Sequence, residues 1–375
     1  MGLVKVKEMK TKVAIVRCKD YERINLGKAV SKAFDLLGGI SAFIKKDEKV
    51  LIKPNLLSAR LPEDGVCTHL EVIRAVVRLV KDCGAVPCIG DNPGGSISPA
   101  AVYEASGVTS LAKEEGVELK EAKGIKVVNN IPIAAYIFEC DKIINLPKMK
   151  THSLMGITGA VKNMYGAVAG LHKSVLHKRF PSPEEFAKVL VDTFEITKPG
   201  LTLMDGIVSM DQAGPAAGRL RDSGLLIAGE DGVAIDAVFA ALIGTKPLDV
   251  LTTQEAYKRK LGETDLKNIE ILGESVRENL INGFELPGTP GLITFLGPFA
   301  KFVAQFIKFG PDIIETSCKK CMICRDSCPV SAIAINPASS TIDLKKCIRC
   351  MCCHEVCPHK AIELKRNFLA RRFGI

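Results

Sequence analysis

At 375 residues the chain is long enough for two domains. It is 47% hydrophobic and has no uncharged apolar run of about 18 residues, which excludes a transmembrane helix. Tryptophan is absent and aromatics are 5%, so no platform for stacking bases is available; the net charge of +9 is spread along the chain without a nucleic-acid recognition motif. Residues 1–11 are basic but lack an apolar core, so they do not read as a signal peptide. Five of the fourteen cysteines (Cys18, Cys67, Cys83, Cys88 and Cys140) are scattered without a pairing pattern. Unpaired thiols suit a reducing compartment, so the expected location is the cytoplasm.

Strand and helix signals alternate over the first 270 residues. Short β-rich runs at 13–16, 50–52 and 85–90 precede later ones at 142–146, 201–204 and 225–228. Between them, 26–38 carries Val30, Ala33, Phe34 and Leu37 at helical spacing, and 69–82 puts Val72, Ile73, Val76, Val77 and Val80 on one face. Further helices are expected at 98–106, 183–196 and 232–243. Such alternation predicts an α/β domain over 1–275, a mostly parallel sheet with helices on both faces.

Polar clusters recur just after the predicted strands: Lys53-Pro54-Asn55, Asp91-Asn92, Pro147 to His152, Asp205-Gly206 and Glu230-Asp231. Right-handed crossovers bring the carboxyl ends of parallel strands to one edge, where open α/β sheets bind ligands. These segments are therefore expected to converge on one crevice. There Lys53, Asn55, Lys148, Lys150, Lys162 and Asn163 would hold a small anionic ligand, and Asp91, His152 and Asp205 would handle protons. A carboxylate after a strand also caps the helix beyond it, so Asp91, Asp205 and Asp231 have a structural reading too. In the segment 156–166, Gly156, Gly159 and Gly166 permit close backbone approach to a ligand or a neighbouring element. The order of a Walker loop and that of G-x-G-x-x-G are both missing, which leaves a nucleotide or nicotinamide site without support.

Taken together, Lys53-Pro54-Asn55, Gly90-Asp91, Leu146 to His152, Gly159-Ala160-Val161-Lys162-Asn163 and Leu203-Met204-Asp205-Gly206 resemble the DUF362 family over roughly residues 11–275. That family often carries a C-terminal ferredoxin-like module and implies no particular reaction.

Residues 276–314 break the rhythm. Pro287, Gly288, Pro290, Gly291, Gly297 and Pro298 mark a connector, and Phe299, Phe302, Val303, Phe306 and Ile307 form the stripe of an amphipathic helix. From 315 to 375 the pattern changes again. Cys318, Cys321, Cys324 and Cys328 are followed by Pro329; Cys347, Cys350, Cys353 and Cys357 are followed by Pro358. Both runs read C-x2-C-x2-C-x3-C-P, a spacing that fits structural zinc sites and disulfide frameworks poorly.

The runs resemble the two-cluster bacterial ferredoxins over roughly 315–365. The resemblance implies a small α+β module with two [4Fe–4S] clusters, in which the fourth cysteine of each run serves the other cluster. Cys318, Cys321, Cys324 and Cys357 would then hold one, and Cys347, Cys350, Cys353 and Cys328 the other. Cys352 is left as a non-ligating thiol. The module has eleven Lys or Arg against five Asp or Glu, which suits an acidic redox partner or simply offsets cluster charge. Three functions remain open: an iron–sulfur oxidoreductase with its own small anionic substrate, an electron carrier or adaptor for a partner enzyme, and a binding or regulatory protein with structural or sensing clusters. Oligomerisation is left open.

Overall fold

The computed structural model of the chain describes residues 10–287 and 309–366. The stripe from Phe299 to Ile307 lies outside the described residues, as does much of the connector. Ten strands form one sheet, whose main path runs Ile269–Gly273, Thr11–Arg17, Arg219–Gly229, Leu201–Asp211, Lys142–Leu146, Lys49–Pro54, Val86–Gly90, Glu118–Lys120. Neighbours are parallel throughout, except that Arg219–Gly229 runs against the strands on either side of it.

Alternation along the strands feeds two cores. Val50 and Ile52, with Ala14 and Val16, face the helices Arg23–Asp35 and Leu70–Asp82, whose Leu26, Val30 and Phe34 and Val72, Ile73, Val76 and Val80 are all buried. Leu51 and Ile143 face Phe186, Ala187 and Leu190 of the helix Pro183–Thr197 on the other side. Val13, Ile15 and Met204 meet the helix Gly232–Leu242, which is apolar except for Asp236 and almost wholly buried. Each such aliphatic side chain withdrawn from water stabilises the fold by about 1.5–3 kcal/mol before entropy is counted. The sheet is thus covered on both faces, as the alternating pattern requires.

Helix starts are set by side-chain chemistry. Glu22, Ser98, Ser182 and Asp231 each accept backbone N–H groups at the first turn of the helix they precede. Asp231 is therefore a cap and not a ligand group. The segment after Leu146 departs from the expected loop. Lys148–His152 continues as a strand, displaced by Pro147, and pairs with the second half of Leu201–Asp211 and with Gly156–Thr158. Proline supplies no N–H for the ladder, so the chain steps sideways there while the Pro147 carbonyl still accepts from Asp205 N at 2.9 Å.

The C-terminal module is built from two halves related by a 29-residue offset. Each half has a cysteine loop and a short helix, Ile323–Asp326 or Cys352–Val356. Phe309–Ile313 pairs with Ile362–Arg366, and Ile333–Ile335 with Ser340–Ile342, both antiparallel. Positive φ angles recur at Lys320 and Arg349, Met322 and Met351, and Ser331 and Lys360. Each pair is 29 positions apart, like the cysteines. Left-handed residues of this kind are the turns from which backbone N–H nests for anionic sulfur are built.

Candidate functional site

All fourteen cysteines are free thiols. One cavity in the module is lined by Cys318, Cys321, Cys324 and Cys357. A second is lined by Cys328, Cys347, Cys350 and Cys353, with Cys352 beside them. Each cavity therefore draws three cysteines from one run and the fourth from the other. Burial and the neighbouring sulfurs of Cys357, Cys321 and Cys318 push the Cys324 thiol up to about 11. Four sulfurs brought together must therefore be stabilised by positive charge if they are to ionise. Backbone N–H groups of Ala332 and Ala361 reach Cys328 Sγ and Cys357 Sγ, both at 3.3 Å, again in matching positions of the two halves. Among the described residues no three His, Cys, Asp or Glu side chains converge closely enough to share one ion. Thiols spread around a cavity suit a multi-iron cube better than mononuclear zinc.

The module sits on the carboxyl edge of the parallel strands. His152 and Glu355 make the central contact, Nε2 to Oε1 at 2.8 Å. His152 Nδ1 accepts from Leu154 N and Met155 N, each at 3.1 Å, so the single ring proton is on Nε2 and is donated to Glu355. Burial pushes the imidazole down to about 4. It stays neutral near pH 7 and joins the two halves; proton transfer near neutrality, expected from the sequence, is not what this environment supports. Glu355 is itself buried, but the hydrogen bond from His152 and the charge of Lys162 outweigh that burial and hold its carboxyl well below the usual range. Arg60 Nη2 donates to the Cys357 carbonyl at 2.8 Å, and Ser96 N to Ser327 Oγ at 3.0 Å. Gly95 allows the closest approach, because a Cβ there would stand 2.1 Å from Ser327 Oγ.

Between the two halves lies a polar cavity of about 60 Å³, room for roughly four waters or a small ligand. From the α/β domain Asn55, Asp91, Asn92, Lys162, Asn163 and Lys173 line it, with Tyr165 and His177; from the module come Cys352, Glu355 and Val356. Lys53 stands behind the wall, paired with Asp91 Oδ1 at 2.8 Å. Gly166 makes room for that pair, since a Cβ would meet Asp91 Oδ1 at 1.9 Å. Gly159 does the same for Asp236, whose carboxylate accepts from Ala160 N and Val161 N. In these two places the small residues admit another element of the protein. Lys162 makes no hydrogen bond or ion pair with a described residue; burial pushes its pKa down, with Glu355 acting the other way. Lys173 donates to the Asn92 and Pro93 carbonyls and is pushed down to about 8 by burial.

The sequence-predicted residues therefore divide. Asn55, Asp91, Lys162 and Asn163 meet at this cavity, with Lys53 next to it. Lys148 and Asp205 form a separate, closed centre: Lys148 Nζ reaches Asp205 Oδ2 at 2.8 Å and Tyr21 Oη at 2.7 Å, and Tyr21 donates to Asp205 Oδ1 at 2.8 Å. His69 stacks on Tyr21 with ring centroids 3.6 Å apart. Lys150 sits apart from both sets of contacts, donating to the Val66 carbonyl, and burial pushes it down to about 7. Asn92, from the Asp91-Asn92 cluster, also lies on this wall; Lys173, His177, Glu355 and Cys352 belong to it although sequence reasoning did not place them there. The signal for Lys173 and His177 was their i, i+4 spacing on the polar helix His172–Arg179.

Fold and cysteine loops together define an iron–sulfur protein, an α/β domain bearing a ferredoxin-like module. A family model described as a domain of unknown function (DUF362) matches residues 50–241, and one described as a 4Fe-4S binding domain matches 340–363. The chain belongs to the DUF362 family. It is similar to the thylakoid-associated protein sll1697 of Synechocystis sp., 30% identical over 309 residues that cover 79% of this chain and 96% of that protein. Among solved structures it is similar to a Thermotoga maritima protein (14% identity, 52% of each chain, TM-score 0.33). Another is the lactate racemase apoprotein of Thermoanaerobacterium thermosaccharolyticum (12% identity, 61% of this chain, 56% of that one, TM-score 0.36). The chain thus spans little more than half of each. Among the described residues no helix is long and apolar enough to cross a membrane.

The buried charges have two measurable consequences. Lys148→Met strands Asp205 inside the domain and should lower stability by about 3–5 kcal/mol; urea unfolding measures it, and wild-type stability would show that the pair is dispensable. Between pH 6.5 and 5 the unfolded chain protonates His152 while the folded chain does not. Stability should therefore fall on acidification, by roughly 2 kcal/mol from this group, with His177 acting in the same direction. Glu355, held low, loses its contribution only below that window. His152→Gln should flatten the pH dependence of the urea midpoint; an unchanged slope would refute a neutral, buried His152.

Proposed function

We propose that the protein is an iron–sulfur oxidoreductase that passes single electrons between two [4Fe–4S] clusters and a small anionic ligand in the cavity at the seam. Cys318, Cys321, Cys324 and Cys357 would hold one cluster, and Cys328, Cys347, Cys350 and Cys353 the other. When bound, such clusters supply one-electron transfer. The observation that carries the reading is Cys352. It lines the seam cavity and also the second cysteine cavity. One residue therefore separates the ligand space from the sulfurs of the second set.

The chain's own groups divide the remaining work. Lys162 and Lys173 attract and orient the anion, Lys53 pairs with Asp91 next to it, and Glu355 with His152 closes the space against water. Asp91, a carboxylate of the cavity wall, would exchange a proton with the ligand. Electrons would enter by the first cysteine set, where Cys321 is exposed and Met322 is 38% exposed between Lys319 and the loop of His359. That rim suits an acidic redox protein. Thiolate-held clusters and the six cysteines outside them, all unpaired, fit a reducing cytoplasm.

Anaerobic reconstitution tests the assignment. The wild-type chain should take up about eight irons. Cys324→Ser and Cys350→Ser should each lose about half of them, and Cys352→Ser should lose none. Full iron in Cys324→Ser, or its loss in Cys352→Ser, would contradict the ligand sets. Dithionite-reduced protein should then be reoxidised by a small organic anion, and Lys162→Met with full iron should react at least about tenfold more slowly. If a ferredoxin reoxidises the protein and no anion does, it is a carrier and not an enzyme.

A further inference from the structure

We infer that the ligand of the seam cavity is a small carboxylate that also carries a neutral hydroxyl donor, a hydroxy acid. The inference rests on the ligand reading above and narrows it. It comes from two amides whose orientation the protein has already fixed. Asn92 Nδ2 donates to the Gly166 carbonyl at 2.7 Å and to Tyr136 Oη at 3.2 Å. Asn163 Nδ2 donates to Asn145 Oδ1 at 2.7 Å. With both amino ends engaged, each Oδ1 is directed elsewhere. Among the described residues both oxygens are buried and lack any partner, on residues that are 3% and 6% exposed and line the same cavity. Asn55 Oδ1, on the same wall, is likewise without a partner.

Buried acceptors without donors are costly, and a native site leaves few of them. Their complement is a ligand with N–H or O–H groups. The cations of the same cavity, Lys162 and Lys173 with Lys53 behind, exceed Asp91 and Glu355 by one charge when all are ionised. Their complement is one negative charge. A metal cation would satisfy the amide oxygens but would face three ammonium groups. A simple carboxylate would satisfy the lysines and leave the amides unmet. A molecule bearing both a carboxylate and a donor meets both demands, and its size is limited to a few heavy atoms by the cavity of about 60 Å³.

Calorimetric titration of the oxidised, cluster-loaded protein under anaerobic conditions tests this. The probes are glycolate, glycine, acetate and ethylene glycol. Glycolate should bind at least about tenfold more tightly than acetate and than zwitterionic glycine, whose ammonium would meet the lysines, and ethylene glycol should not bind measurably. Glycine binding as tightly as glycolate would contradict the charge argument. Asn92→Leu and Asn163→Leu should erase the preference over acetate, and Lys162→Met should weaken all the acids. Circular dichroism and iron content check each variant, and the wild-type panel decides alone if a variant does not fold. Equal binding of acetate and glycolate, or binding of none of the acids, would overturn the inference. Because the titration involves no turnover, a failure of electron transfer would leave its result intact, and the reverse also holds.

Discussion

A carboxylate enclosed between two halves of a chain is stable only if the opposite half surrounds it with positive charge, and Glu355 is in that position. Its partner His152 is locked by two backbone N–H groups into the tautomer that donates to it. Lys162 adds a cation from the α/β domain. Removing these groups would leave a buried charge uncompensated, a state that costs several kcal/mol. The docking of the cysteine module is therefore specified by charge and hydrogen bonding as well as by contact. The same arrangement closes a polar space beside the second cysteine set.

The parallel sheet supplies the other half of that arrangement. Strands Lys49–Pro54, Val86–Gly90 and Lys142–Leu146 run side by side in register, so the residues just past each of them emerge at one edge. Pro147 then moves the third strand sideways. That step separates two polar centres that would otherwise merge: Lys53 and Asp91 remain under the module, while Lys148 is carried to Asp205 and Tyr21. One sheet edge thus holds an open centre at the seam and a closed one within the domain.

Much of this is legible in the sequence because it depends on local period and spacing. The helix stripe Val72, Ile73, Val76, Val77 and Val80 and the strand 50–52 reflect a two-sided core, and their periods show it. The two cysteine runs carry their repeat openly. Legibility ends where meaning depends on pairing across the fold. Lys148, Lys162 and Lys173 look alike in sequence, yet one is neutralised by Asp205, one is without a partner among the described residues, and one is bound to carbonyls. Asp231 is open to either reading until its contacts with Val233 N and Ala234 N show a cap. Glu355 is hidden among cysteines, since nothing near it in sequence indicates that its partner lies about two hundred positions earlier.

The central claim is that the ligand space adjoins the second cysteine set and not the first. Electron paramagnetic resonance of the reduced protein, recorded with and without a carboxyl-13C-labelled anionic ligand, tests it most directly. The account predicts two reduced [4Fe–4S] signals, with 13C hyperfine coupling on one of them that persists when Cys324→Ser removes the other. Coupling to neither signal, coupling lost with Cys324→Ser, or no [4Fe–4S] signal in iron-loaded protein would contradict it.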